Sequence, residues 1–338
     1  MIQLDGSNGG GQILRTALSL SMVTGQPFHL KNIRGKRPKP GLMRQHLTCV
    51  KAAAEICDGS IDGAELLSRE VIFNPGKICS GDYHFKIGTA GSTTLLAQTL
   101  LPALWMAEGK STLRLEGGTH NPMAPPADFI ARVFLPVVEK MGFTASCELV
   151  RHGFAPAGGG EIFLTIEPSK ERQTLDLCER GEFISQGVIS TIAHIDEKVA
   201  KNEITTALKE LNWPDSCASI IQADESNGPG NCCAIELIHE YARERITNFG
   251  AHNRSASDVA KKAAQQMRGY LTTGAVVGRG LADQLLLPMA LAGGGKFVSM
   301  NASNHFATNL EVIRKFLPVN LTQEPADQRS HYYTMTVA

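Results

Sequence analysis

The chain alternates helical stripes of apolar residues with short strand-like runs, and glycine turns punctuate the alternation three times. After Gly9-Gly10-Gly11, the segment "QILRTALSLSM" places Ile13, Ala17 and Leu20 on one helical face; the pattern breaks at Gly25 and gives way to a short strand. "GTAGSTTLLAQTLLPALWMAEGKSTLRLEGG" repeats the order with a break at Gly109, and "GRGLADQLLLPMALAGGGKFVSMNA" repeats it with a break at Gly293 to Gly295. Three copies of turn, helix, turn and strand predict stacked α+β units, each with its helix against its own small sheet. Between the second and third copies, "GFTASCELVRHGFAPAGGGEIFLTIEP" predicts two strands around a glycine turn.

From about Arg180 to Ala275 the pattern changes. "KVAKNEITTALKEL" and "SDVAKKAAQQMRGYL" are charged and helical in period, and "CCAIELIHEYA" predicts a strand. Residues 181–275 are therefore expected to form a smaller inserted α/β domain, with 1–180 and 276–338 making one larger body. Near the C-terminus, Thr308 and Glu311 have capping-box spacing, Leu310, Ile313 and Leu317 follow at helical spacing, and Pro318 ends the run. A helix is expected from about Thr308. With "KFVSM" upstream as a strand, His305 falls on the connection, where functional side chains are often displayed.

Composition changes little in this picture. The 338 residues suit two domains. No apolar run approaches the ~18 residues of a membrane span. The N-terminal "MIQLDGSNGGGQ" has no basic region followed by an apolar stretch, so no secretory signal and a cytoplasmic location are expected. The eight cysteines include no Cys-x-x-Cys pair, and reduced, mostly buried thiols are expected.

Charge is more informative. The formal net charge is zero, yet no Asp or Glu occurs between Gly6 and Ala54, where Arg15, Lys31, Arg34, Lys36, Arg37, Lys39, Arg44 and Lys51 lie. The densest part, "RGKRPKPGLMRQH" (34–46), carries two prolines and two glycines, which predicts a stiff loop. Arginines on such a loop suit phosphate, because the guanidinium fork binds two oxygens at once; a solvated surface loop is the plain alternative. A glycine run entering a helix, as at Gly9 to Gly11, lets backbone N–H groups meet an anion, with Arg15 in the first turn. The run lacks the spacing of a dinucleotide fingerprint or a P-loop. Imidazole that is neutral at pH 7 is a nucleophile without a separate base. His305 has the best-defined context for that role, and His46, His120 and His152 are the other candidates.

Eight segments in order ("DGSNGGGQILRTALSLS", "RPKPGLMRQH", "GTAGSTTLLAQTLLPALW", "GGTHNPMAPPADF", "RHGFAPAGGGE", "GPGN", "LADQLLLPMALAGGG" and "NHFATN") resemble the RNA 3'-terminal phosphate cyclase family over nearly the whole chain. The resemblance implies a large body of repeated βαβαββ units, similar to those of enolpyruvyl transferases, with a smaller inserted α/β domain. It also implies a reaction in which ATP and a divalent metal (Mg²⁺ or Mn²⁺) convert an RNA 3'-phosphate end to a 2',3'-cyclic phosphate through a histidine–AMP adduct. The adenylylated histidine falls on His305. Arg15, Gln98, Pro125, Pro126, Asp283 and Gln284 resemble the ATP-facing set, and Arg34, Arg37, Arg44, Gln45 and His46 the RNA phosphate-facing set. Two positions depart from the family. Asn8 stands where a metal-associated glutamate is usual, which makes it a weak metal ligand, and Gly280 stands where an adenine-stacking aromatic is frequent. Two other classes carry the same fold by resemblance: non-catalytic ribosome-assembly relatives, which lack the histidine, and enolpyruvyl transferases. The oligomeric state is left open, a homodimer among the options.

Overall fold

Each glycine turn opens a helix, and each helix returns the chain to a strand parallel to the one it left, as a crossover of that length requires. The computed structural model describes residues 1–300, 303–326 and 332–338. Asn301 and Ala302, which close the third expected copy, lie outside the described residues. The first unit runs β1 (Ile2–Asp5), α1 (Gln12–Thr24), β2 (Phe28–Lys31), α2 (Arg44–Ile56), β3 (Ser60–Asp62) and β4 (Val71–Asn74). Its sheet has the order β1-β2-β4-β3, with β1 and β2 parallel and the other pairs antiparallel.

The second unit repeats this scheme: β5 (Asp82–Lys86), α3 (Thr93–Trp105), β6 (Ser111–Gly117), a helical segment of α4 (Ala127–Phe129), a π turn (Ile130–Phe134) and α5 (Leu135–Glu139), then β7 (Ala145–Arg151) and β8 (Gly160–Ile166). Its order, β5-β6-β8-β7, has the same pairing senses. The third unit starts with β9 (Leu175–Leu177), which pairs in parallel with a strand 118 residues further on, Gly295 facing Leu175. Between them the chain forms a separate four-stranded sheet from β10 (Phe183–Ala193), β11 (Ala218–Gln222), β12 (Gly230–His239) and β13 (Arg243–Phe249), with helices α6 (Glu197–Leu211) and α7 (Ala256–Leu271). It then resumes with α8 (Arg279–Leu291), β14 (Gly295–Met300), α9 (Asn304–Phe316), β15 (Leu321–Pro325) and β16 (Tyr332–Val337), in the order β9-β14-β16-β15. The βαβαββ scheme thus occurs three times, and the 183–271 segment interrupts the third copy after its first strand.

One apolar core joins the three units, with Leu14, Leu18, Phe73, Leu100, Trp105, Leu285, Phe297 and Phe306 among its buried members, and α1 packs on both α3 and α9. The interrupting segment has a core of its own around Val188, Leu208, Ile235 and Met267. Helix termini follow local rules. Asp196 and Ser255 cap α6 and α7, accepting from the N–H groups of Lys198 and Asp258, and Gly25 ends α1 in the left-handed region at φ 67°.

Several expectations are corrected. α9 begins at Asn304, not near Thr308, because the Ser303 hydroxyl accepts from the Phe306 N–H (3.1 Å) and caps the helix one turn earlier. α3 stops at Trp105, four residues before Gly109. α2 begins at Arg44, so Arg44, Gln45 and His46 stand on a helix rather than on the loop. Only four of the eight thiols are buried; Cys79 is exposed. Among the described residues, no helix is long and apolar enough to cross a membrane.

Two contacts lock the interrupting segment to the body. The Arg180 guanidinium lies 4.1 Å from the Tyr270 ring centre and donates to the carbonyls of Ala275 (2.9 Å) and Tyr270 (3.0 Å). Glu244 of β13 reaches the start of α8, where the N–H groups of Gly278 and Arg245 bond its carboxylate; its Oε2 is buried without a partner. Gly278 leaves no room for a Cβ beside that carboxylate. Burial pushes the Glu244 carboxyl up to about 7 against the two N–H bonds and the charge of Arg180. The folded state then holds this proton more tightly than the unfolded chain, so its contribution is present below pH ~4.5 and is lost as pH rises through 7. Glu244→Gln should therefore be more stable than the wild type at pH 8, by up to about 3 kcal/mol. Unfolding by denaturant at pH 5 and pH 8 checks this: the gap should close at pH 5, and parallel pH slopes for the two proteins would contradict it.

Candidate functional site

Four helices of the body present their N-termini to one cleft of about 670 Å³, and arginines stand beside them. Gly11 opens α1 and Met43 opens α2 with no side-chain cap, and neither first turn contains an acid. Their positive dipole ends remain free for an anion. Arg15, Arg34, Arg37 and Arg245 line the same cleft, and among the described residues that line it Asp283 is the one acid.

The triple glycine is needed for close approach, since none of the three has a positive φ. A Cβ on Gly10 would lie 3.2 Å from an Arg37 nitrogen, and one on Gly11 would overlap the His46 imidazole and come within 2.9 Å of Arg15. The glycines therefore bring α1, α2 and the 34–43 loop together. Arg34 braces that loop, donating to the carbonyls of Lys39 (2.7 Å) and Gly41 (3.1 Å), and Gln45 accepts from the Ser92 N–H (2.9 Å) at the start of α3. Burial, with Arg15 and Arg34 adding repulsion, drives the His46 imidazole down to about 3. His46 is neutral at physiological pH, so it can offer a hydrogen bond but no charge; its Nδ1 is buried without a partner. Desolvation lowers the half-buried Arg15 as well, but a guanidinium stays protonated in proteins.

His305 is exposed in the first turn of α9, and its backbone carbonyl accepts from Gln12 Nε2 (3.4 Å) at the first turn of α1. The helix that carries it is held on two sides. The Thr16 hydroxyl donates to Asn309 (2.6 Å), whose amide donates to the Asp283 carbonyl (3.2 Å), and Ser303 donates to the Asp283 carboxylate (2.7 Å). Burial raises the Asp283 carboxyl, opposed by the Ser303 bond and by the charges of His305 and Arg279. Gln98 donates to Gln284 across α3 and α8, and Gln284 donates to the Gly280 carbonyl (2.8 Å). Pro125 is fixed by its carbonyl accepting from Thr94 (2.6 Å). Pro122, Pro126, Phe129, Phe134 and Leu287 make the apolar wall, and Gly280 stands on the lining with open space at its Cβ position.

The cleft thus gathers His305, Arg15, Gln98, Pro125, Pro126, Asp283, Gln284, Arg34, Arg37, Gln45 and His46. Arg44 lines a neighbouring depression instead. Asn8 is exposed and outside the lining, on the turn that the Gly9 N–H closes on the Gly6 carbonyl (3.4 Å). Among the described residues no group of three His, Cys, Asp or Glu side chains is placed to hold a metal. His120 and His152 are not on the lining. The buried His120 bonds Thr119 (2.9 Å) and lies 3.6 Å from Asp128, while His152 pairs with Glu225 (2.8 Å).

Sequence reasoning missed Arg245, Thr247 and Phe249, which β13 contributes to the cleft wall. The alternation in "RERITNF" puts these three on one strand face, which was the available signal. Arg245 is held by Asp128 (2.9 Å) and Glu236 (2.9 Å), and Glu236 also takes Arg132 (2.7 Å). Burial alone would raise Asp128, but His120 and Arg245 carry it well below the usual carboxylate range.

The family model for RNA 3'-terminal phosphate cyclase matches residues 7–322. The chain belongs to the RNA 3'-terminal phosphate cyclase family. A protein of Ectopseudomonas mendocina named RNA 3'-terminal phosphate cyclase is 47% identical over 97% of this chain and 96% of its own length. One of the same name from Koribacter versatilis is 49% identical over 95% and 91%, and one from Ralstonia nicotianae 48% over 95% and 93%. The glycine run offers a sharp test of the cleft as an anion site. Gly11→Ala should push the His46 and Arg15 side chains aside, and one charge-assisted hydrogen bond is worth about 1.5 to 3 kcal/mol. Calorimetric titration with inorganic triphosphate should show affinity about tenfold lower or worse. Unchanged affinity would place the anion elsewhere.

Proposed function

We propose that this protein is an ATP-dependent RNA 3'-terminal phosphate cyclase that works through a covalent adduct on His305. The observation that carries the reading is the position of His305, exposed at the start of α9, at a cleft that combines four arginines, two uncapped helix N-termini and an apolar proline and phenylalanine wall. ATP needs each of these: cations and N–H groups for its phosphates, and apolar surface for adenine. A divalent cation enters as the companion of the ATP phosphates, held mostly by phosphate and water oxygens.

In the first step an imidazole nitrogen of His305 attacks the α-phosphorus of ATP, and pyrophosphate leaves toward Arg15 and the start of α1. Neutral imidazole supplies the electron pair directly, and its ring proton is lost to solvent when the phosphoramidate forms. An oxygen of the RNA 3'-phosphate next attacks the same phosphorus, the ring takes back a proton from solvent, and neutral imidazole leaves. Finally the ribose 2'-OH attacks the RNA phosphorus, losing its proton, and AMP departs with the bridging oxygen to give the 2',3'-cyclic phosphate. Arg34 and Arg37 would hold the RNA phosphate, with His46 as a neutral hydrogen-bonding partner. The terminal phosphate and ribose are common to all RNA ends, so little base preference is expected.

Incubation with [α-³²P]ATP and a divalent cation should label the wild type with an acid-labile, alkali-stable adduct, and His305→Ala should lose the label. Equal labelling of the variant would remove His305 from the mechanism. Gly280 faces open space where the family resemblance expects a stacking ring, and such a contact is worth roughly 1 to 3 kcal/mol per base. Gly280→Tyr should therefore lower the ATP concentration for half-maximal labelling several-fold; no change would mean adenine does not sit beside this residue.

A further inference from the structure

On the far side of Gln45 and His46 from the cleft lies a second depression of about 680 Å³. The two residues line both cavities, so the depression and the cleft share a wall. Leu42, Leu66, Leu67 and Pro156 give it an apolar wall; among the described residues that line it Arg44 is the one Lys or Arg, and none is an acid. Leu66 and Leu67 are 48% and 62% exposed, adjacent leucines kept in water beside an arginine.

The backbone is built to keep them there. Leu67 adopts φ 66°, a left-handed conformation that costs a branched residue about 1–2 kcal/mol. Its N–H donates to the Leu42 carbonyl (2.8 Å), and Gly41, at φ 86°, has no room for a Cβ against the Leu67 carbonyl. The loop that carries the phosphate-facing arginines therefore also fixes the leucines. Met43 opens α2 without a side-chain cap, and Met43 and Arg44 both line the depression.

We infer that this depression is a subsite for the RNA nucleotide immediately 5' to the phosphorylated end. Its base would lie on the Leu66 and Leu67 wall and its phosphate against Arg44. The inference rests on the function proposed above. A nucleotide unit presents an apolar face and an adjoining anion at the spacing that an apolar wall with one cation accepts. The acid-free stretch from Gly6 to Ala54 supplies the shared boundary of both cavities, which favours a polyanion over a protein segment. The Leu42, Leu66, Leu67 and Pro156 side chains carry no hydrogen-bonding group, so this wall responds to the presence of a base and is indifferent to its identity, while Gln45 and His46 stand on the boundary shared with the cleft.

The test uses 3'-phosphorylated oligoribonucleotides with either a normal or an abasic penultimate nucleotide, and reads KM for ATP-dependent conversion to a phosphatase-resistant end. In the wild type the abasic RNA should have a KM about tenfold higher, equivalent to roughly 1.4 kcal/mol of lost apolar burial. Leu67→Asn keeps a residue tolerant of the left-handed backbone while removing the apolar wall. It should raise KM for the normal RNA similarly and make the abasic RNA no worse; thermal unfolding verifies that the variant is folded. Equal KM for the two RNAs in the wild type, or losses that add in the variant, would overturn the subsite. A concentration-dependent dimer abolished by Leu67→Asn would give the depression to a second copy of the chain and overturn it equally. Failure of the underlying function shows differently, as no ATP-dependent product from either RNA.

Discussion

The space beside Gly11 is occupied by the imidazole of His46, and much of the cleft depends on that contact. A side chain there would separate α1 from α2 and move Arg15 with it. Because the residue is glycine, two uncapped helix starts and the guanidinium groups of Arg15 and Arg37 converge on a few ångströms of wall. Burial, with repulsion from Arg15 and Arg34 added, makes a proton on His46 costly; the imidazole yields by staying neutral while the arginines cannot. Among the described residues Arg15, Arg34 and Arg37 have no carboxylate partner and Asp283 is the one acid on the lining, whereas Arg245 is paired with Asp128 and Glu236. An arriving polyanion supplies the missing charge.

The interrupting segment is part of this arrangement. β13 alternates its side chains between two tasks: Glu244 goes to the start of α8, while Arg245 goes to Asp128 and Glu236 at the cleft wall. α8 carries Asp283 and Gln284, so the strand touches both the helix that lines the cleft and the cleft itself. Buried charges in such a network are costly to separate, which gives the segment a defined seat on the body. The "GPGN" turn adds to that seat, because Gly228 packs on Ala157 and Gly230 on Phe154 with no space for a Cβ.

What could be read in the sequence follows the range of the interactions. Helical stripes and glycine breaks depend on neighbours a few residues away, so the three copies, the strand pair after the second and the changed texture from Arg180 were legible in advance. Topology was not: the parallel pairing of Leu175 with Gly295 leaves no mark in either stretch. The start of α9 was misplaced because Thr308 and Glu311 have the spacing of a capping box, while the actual cap, Ser303, draws part of its role from Asp283, twenty residues away. Charge marked 34–46 as a loop suited to phosphate and the family resemblance named Arg34, Arg37, Arg44, Gln45 and His46; all but Arg44 stand on the cleft, and the position of Arg44 depends on where α2 begins. Arg245, Thr247 and Phe249 were passed over because the alternation in "RERITNF" puts them on one strand face without saying which wall that face meets.

The central claim is that this cleft uses ATP to activate an RNA 3'-phosphate at His305. The most direct measurement takes a 3'-phosphorylated oligoribonucleotide, incubates it with the protein and follows whether its end becomes resistant to phosphatase. Resistance that appears only with ATP, accompanied by stoichiometric AMP and absent when the terminal ribose lacks its 2'-OH, is the predicted result. Resistance without ATP, or a protected end formed on the 2'-deoxy substrate, would contradict the account.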